Sequence, residues 1–185
     1  MEWVVLGLLL VGMAWIIWTY NLFVSLRHRI QNAWKQIDVQ LKRRHDLIPN
    51  LVESVKGYMK YEQETLTKVM EARGRAVSST GVKASAEAEN ALTQTLGKIF
   101  ALMENYPELK ANENVLRLQE ELTTTENQIA FARQYYNDLV MRFNMRQEIF
   151  PASVVAGFFN FKPSEFFNVP EAEKAVPRVD LKFGA

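Results

Sequence analysis

No charged residue lies between Trp3 and Leu26, and apolar side chains fall on every side of a helix drawn through that window. The stretch suffices for a hydrocarbon core of ~30 Å, which takes roughly 20 apolar residues. Trp3 stands at one end, with Trp15, Trp18 and Tyr20 toward the other, where bilayer interfaces favour aromatic side chains. No Pro interrupts Met1 to Ile48, so the span is expected to continue into the body as its first helix. There the pattern becomes one-sided: Phe23, Leu26, Ile30, Trp34, Ile37 and Leu41 recur every three or four residues and form a single stripe. Asp46 can cap a new turn, and Pro49 lacks a backbone donor, which predicts a bend or restart there with Asn50 opening the next helix.

That second helix is expected from about Asn50 to Ala76, with Leu51, Val55, Tyr58, Leu66, Val69 and Met70 inward, and Ser78 to Gly81 as a polar turn. A third, from about Ala84 to Glu104, begins with small residues and then places Leu92, Leu96, Ile99 and Met103 on one face. A fourth, from about Glu113 to Gln147, carries Val115, Leu118, Leu122, Ile129, Tyr136, Val140 and Phe143. Long amphipathic helices joined by short loops favour an antiparallel up-and-down bundle. Beyond Phe150-Pro151 the chain turns rich in Phe (Phe158, Phe159, Phe161, Phe166, Phe167), and Pro163, Pro170 and Pro177 oppose a long helix. The fold expected is therefore all-α: an anchor over residues 1–26, a bundle over 27–147 and an irregular tail over 148–185. The tail has two readings, a lid on the bundle's end or a docking patch for another subunit or the membrane.

A cleaved signal peptide fits the N-terminus less well than a retained anchor. The first residues hold Glu2 and no Lys or Arg, and apolar residues run on through Ile16, Ile17 and Trp18. Arg27, Arg29, Lys35, Lys42, Arg43 and Arg44 follow the span, which predicts a cytosolic body and an outside N-terminus in an inner (cytoplasmic) membrane. With 22 Lys+Arg against 21 Asp+Glu there is no basic field suited to nucleic acid.

The chain offers little recognisable chemistry. It has no Cys, which excludes thiolate metal sites, thiol catalysis and lipoprotein acylation. His28 and His45 are too far apart to share a site on one helix, and no Glu-x-x-His pair is present for a bundle di-iron centre. Gly74 and Gly81 are isolated glycines, outside any phosphate-binding loop. No cofactor or metal and no enzymatic activity are expected. Two polar clusters remain. Lys42-Arg43-Arg44-His45-Asp46 reads either as an interaction site or as ion pairs around a kink. From Leu26 to Arg44 is ~27 Å of helix, so only Arg27 and Arg29 are near enough for lipid headgroups. Asn127, Arg133, Asn137 and Asp138 read as a recognition surface or as a satisfied polar network in the bundle.

The run YNLFVSLRHRIQNAWKQIDVQLKRRHDLIPNLVESVKGY from Tyr20 resembles the start of the LemA family of bacterial membrane-anchored helical proteins. The likeness continues through YPELKAN at Tyr106, LQEELTTTENQIAFARQYYNDLVMRFN at Leu118 and FPASVVAGFFNF at Phe150. His28, His45, Met59 and Tyr61 depart from the expected Asn, Tyr, Ala and His. The resemblance implies a span followed by a long-helix bundle and no established enzymatic activity. It also implies a setting of envelope stress and membrane-protein quality control, with a membrane-bound zinc metalloprotease as one partner to consider.

Three functional classes follow: a self-assembling membrane-anchored scaffold or adaptor, a lipid-binding organiser of membranes, and an enzyme with an unrecognised site. The first is favoured. Phe23, Leu26 and Ile30 emerge from the membrane as an apolar stripe that a homo-oligomer would bury, and Phe158, Phe159 and Phe161 offer a second apolar surface.

Overall fold

Helix α1 runs without interruption from Glu2 to Lys56, 55 residues, or ~80 Å at ~1.5 Å per residue. The computed structural model describes residues 1–167 of the chain. After α1 come α2 (Gln63–Ser78), α3 (Val82–Met103), the short α4 (Pro107–Lys110), α5 (Glu113–Glu148) and α6 (Ala152–Phe158), with no strand among the described residues. The N-terminal part of α1 is long and apolar enough to cross a membrane, and from Val4 to Trp18 nearly all its side chains are uncovered by the rest of the chain. Below Trp18 the same helix becomes the spine of the body.

α5 packs antiparallel along α1. The Phe23 and Phe143 rings meet edge-on at 6.0 Å, Trp34 meets Tyr136 at 5.7 Å, and Arg44 meets Glu126 farther along. α2 and α3 form a hairpin on the half of this pair far from the anchor. Gly81 turns the chain between them at φ 87°, a backbone region that L side chains rarely adopt. Ile48, Leu51, Val55, Val69, Leu92, Ile99 and Leu122 fill the core at the hairpin end, while Phe23, Ile37, Ile129, Val140 and Phe143 fill it at the anchor end. Asn112 caps α5 by accepting the amides of Asn114 and Val115. The result is the expected antiparallel bundle.

The expected handover at Asp46 and Pro49 does not occur: Pro49 lies inside α1, with Asp46 and Asn50 on its exposed side. A proline removes the amide that would bond the carbonyl four residues earlier, here that of His45. Arg73 of α2 supplies the missing donor, its Nε donating to the His45 carbonyl at 2.6 Å. The chain breaks instead at Gly57 to Glu62, so Leu51 and Val55 belong to α1. Met59, fully buried, takes the inward place expected for Tyr58, and Met70 lies at the rim while Ala72 and Ala76 face inward. Tight packing against α3 needs those small side chains.

The tail is only partly the irregular lid expected. Ile149 to Phe161 turns back at the anchor end and contains α6, and residues 161–167 then climb along α5 without helix. Two asparagines strap that segment down. Asn144 accepts from the Ser164 amide at 2.9 Å and donates to its carbonyl at 2.9 Å; Asn137 does the same for Phe167 at 2.9 and 3.1 Å. The helix rise from Asn137 to Asn144 is ~10.5 Å and the extended span from Ser164 to Phe167 is about 10 Å, so the two clamps fall in step. Tyr136 Oη donates to the Glu165 carbonyl at 2.9 Å between them. Phe161 stacks on Phe23, and buried Phe167 lies under Trp34 and Arg133. Pro170 and Pro177 lie outside the described residues.

Phe23, Leu26 and Ile30 are therefore not an exposed stripe: α5 and the tail cover them within one chain. The ~1.5–3 kcal/mol gained per buried Leu- or Phe-sized side chain is already realised in the single chain.

The proline and Arg73 are expected to be coupled. Arg73→Met leaves the His45 carbonyl without a partner and should cost about 1–3 kcal/mol. In a Pro49→Ala background an amide is restored at position 49, so the same substitution should cost less. Urea unfolding of the four proteins in detergent measures the coupling; additive effects would show that Arg73 does not compensate for the proline.

Candidate functional site

Arg44 is the largest fully buried side chain among the described residues, at 0 % exposure. It occupies a core position of α1, in step with Ile37, Leu41, Ile48 and Leu51. An unpaired charge there would be prohibitive, so it is met from both neighbouring helices. One terminal nitrogen pairs with Glu89 of α3, itself 1 % exposed, and the other with Glu126 of α5. Nη1 also donates to Thr93 Oγ1 at 2.8 Å, and Thr93 donates onward to Glu126 Oε1 at 3.1 Å. His45 Nε2 donates to the second oxygen of Glu89 at 2.8 Å. Three helices are joined at this one guanidinium.

The electrostatics favour ionised Glu89. Burial alone would raise its carboxyl, but the His45 hydrogen bond and the Arg44 charge outweigh burial and hold it below the ordinary value of 4.5.

Cavities open on both sides of the cluster. One of ≈ 220 Å³ adjoins Arg44, Thr93, Glu126 and Asn127. The other, of ≈ 320 Å³, is lined by His45, Arg73, Asp38, Lys42, Glu89 and Ser85 among others. A carboxylate-oriented imidazole beside serines invites comparison with a nucleophile–base pair, which needs the hydroxyl hydrogen-bonded to the base. Here Ser79 Oγ donates to the Ala76 carbonyl at 2.7 Å and lies 3.2 Å from Ser85 Oγ. Neither hydroxyl bonds His45 among the described residues. No group of three or more His, Cys, Asp or Glu among them is placed to hold a metal ion.

The remaining sequence candidates separate. Arg43 is exposed, but Arg44 is withdrawn from any surface, which corrects its reading as an interaction residue. The helix period explains this: adjacent residues point ~100° apart, and only position 44 falls on the stripe. Arg27 and Arg29 are exposed just past the span, with Arg27 over the Phe161 ring at 5.8 Å. Arg133 Nη1 donates to Asn90 Oδ1 at 3.4 Å and its guanidinium sits 4.6 Å from the Phe167 ring, while Asn137 clamps the tail. Phe158 and Phe159 are exposed beside the anchor, and Phe161 is half-buried. The sequence reading missed Glu89 and Glu126. Glu89 falls in step with Leu92 and Leu96, and a charge at a core position is the signal that would have found it; Glu126, 36 % exposed, sits at the edge of the stripe of Leu122 and Ile129 and carries no such mark.

A candidate membrane span continued into an antiparallel bundle and locked by a buried arginine defines a class of anchored helical protein. The chain belongs to the LemA family, whose model matches residues 33–181. It is 28% identical over 149 residues to Protein LemA of Metamycoplasma hominis, covering 80% of this chain and 68% of that one. It is 22% identical over 180 residues to Magnetosome protein MamQ 2 of Paramagnetospirillum magneticum, covering 83% and 66%, and similarly to Magnetosome protein MamQ of Magnetospirillum gryphiswaldense, at 22% over 175 residues, 80% and 64%. The chain thus spans about two thirds of the length of these relatives.

The cluster predicts an acid-sensitive fold. A carboxyl held lower in the folded than in the unfolded chain stabilises the fold above the unfolded value and loses that contribution as pH falls through the folded one. Stability should therefore drop below pH 4.5, and the drop should be shallower in Glu89→Gln. Arg44→Met should cost about 3–5 kcal/mol by stranding the buried carboxylate, and adding Glu89→Leu should recover much of it. Helical circular dichroism during urea unfolding across pH checks both, and an unchanged acid slope in Glu89→Gln would remove Glu89 from the account.

Proposed function

We propose that this protein is a scaffold of the bacterial inner membrane, held by a single span with the N-terminus outside and the body in the cytosol. It assembles with further copies of itself and presents repeated helix faces to other membrane proteins. The observation that carries this reading is an uncovered groove of ≈ 620 Å³ between α1 and α5, floored by Val39, Phe131 and Tyr135 and edged by Gln36, Gln40 and Gln128. Val39, Phe131 and Tyr135 are large apolar or aromatic side chains left exposed together in this groove. An apolar floor with a rim of three amides and Lys35 fits another helix, and the same patch on a second copy qualifies. Anchored copies share one orientation in the membrane plane, which favours a two-fold axis along its normal and the meeting of identical patches. Confinement to two dimensions raises their effective concentration, so a modest interface suffices. The stripe of Phe23, Leu26 and Ile30 plays no part in this assembly, since it is covered within each chain.

The orientation rests on Arg27 and Arg29 and the later basic residues of α1. The quality-control setting suits an assembly that offers several copies of one face to membrane partners.

Because the chain has no Cys, a single Phe131→Cys substitution gives a unique cross-linking site. It should cross-link between copies in native membranes. Mass photometry in native lipid discs should show species above the monomer mass, which Val39→Glu with Phe131→Glu should convert to monomer. A single monomer-mass species of the unsubstituted protein at all dilutions would overturn the proposal.

A further inference from the structure

Between Glu148 at the end of α5 and Lys162 the chain carries no charge. This segment turns back at the level of the candidate span, where Phe159 lies 4.7 Å and Phe161 5.8 Å from Tyr20, ring to ring. Between those points it reaches farther toward the N-terminus of α1. Phe150, Val154 and Phe158 share with Gly12, Trp15 and Ile16 an apolar groove of ≈ 430 Å³. Gly12 lies ~9 Å of helix beyond Trp18 on the membrane side. α6 turns Val155 and Ala156 into the protein and leaves Phe150, Val154 and Phe158 exposed at 78, 62 and 83 %. For an element surrounded by water this orientation is unfavourable on three large side chains.

We infer that Ile149 to Phe161 is a second membrane element, an apolar hairpin seated beside the span in the cytosolic leaflet, with Phe150, Val154 and Phe158 among the acyl chains. The inference rests on the reading of the N-terminal part of α1 as a span. Three independent features fit lipid as the occupant. The first is depth: interfacial elements bury ≈ 5–10 Å into the headgroup and acyl boundary, the reach measured from Trp18 to Gly12. The second is the backbone, whose polar groups need internal partners where water is absent. α6 closes its own C-terminus, with the Phe161 amide donating to the Ala156 carbonyl at 3.0 Å and the Asn160 amide to Gly157 at 3.1 Å. Asn160 is the left-handed residue that this closure requires, at φ 54°. The third is charge. Arg27, Arg29, Arg142, Arg146 and Lys162 are exposed around the level where the hairpin leaves and rejoins the body, Arg142 and Arg146 flanking the Phe143 that packs on Phe23. With Glu148 exposed among them, they still leave a net basic collar at headgroup height, suited to anionic lipid.

The test uses the full chain in vesicles of phosphatidylcholine and phosphatidylglycerol, labelled with an environment-sensitive fluorophore at single cysteines. Phe158→Cys and Val154→Cys probe the hairpin, Leu9→Cys the span, and Tyr61→Cys the far end of the body. Brominated acyl chains should remove most of the emission at positions 158, 154 and 9 and leave position 61 unchanged, with aqueous iodide giving the reverse. Iodide quenching at 158 and 154 alongside lipid quenching at 9 would overturn the hairpin and leave the span standing. Emission at 158 insensitive to both quenchers would overturn it in favour of a protein cover, such as a second copy. Iodide quenching at position 9 would overturn the span and the hairpin together.

Discussion

A charge at a core position permits few arrangements of the helices around it, and Arg44 imposes that constraint here. Its guanidinium must meet Glu89 of α3 and Glu126 of α5 at once. Sliding either helix by one turn, ~5.4 Å, would strand a buried arginine or a buried carboxylate. Apolar packing alone is tolerant of such shifts, because Leu and Ile fill a neighbouring hole almost as well. The arginine therefore contributes specificity of register more than net stability, the best-attested use of a buried ionic group. Once α5 is fixed against α1, the height of its C-terminus beside the anchor is fixed too. The place of α6 follows from that.

The neighbouring turn of α1 adds the fourth helix to the same joint. Pro49 frees the His45 carbonyl, Arg73 of α2 takes it, and His45 itself bonds Glu89. Two consecutive residues of α1 thus hold α2, α3 and α5. In a chain without disulfides this substitutes polar geometry for covalent constraint. The asparagine clamps repeat the device at the anchor end, where backbone-like amide pairs from Asn137 and Asn144 hold an extended strap that has no sheet to join.

Helix existence and face were legible in the sequence because an amphipathic period of 3.6 residues survives over such long elements. α3 and α5 came out within about two residues of the expected bounds, the usual uncertainty at helix ends. What failed was local punctuation. Pro49 and Asp46 carry the marks of a boundary, yet a tertiary donor in α2, 28 residues from the His45 carbonyl it meets, neutralises the proline, and no local rule contains Arg73. The charged run at Lys42 to Asp46 was legible as ion pairs, which Arg44 and His45 make, but not the kink expected with them; read by helical register, Arg44 turns inward while Arg43 stays exposed. α6 was hidden by the Phe and Pro content of the tail around it, which argues against long helices but not against one of two turns. The stripe at Phe23 was rightly identified as needing cover, while the cover itself came from residues far along the chain.

The cluster also bears on what kind of function the fold can carry. Glu89 is held ionised by Arg44 and His45, and His45 Nε2 donates to that carboxylate. Each member stabilises the resting state of the others, so the cluster works as a lock. The lock holds two apolar surfaces in place, the groove of Val39, Phe131 and Tyr135 on the body and the apolar side of α6 beside the candidate span. The groove lies on α1 and α5, and α6 packs against the same pair, so the register that Arg44 imposes also fixes the distance between the two surfaces.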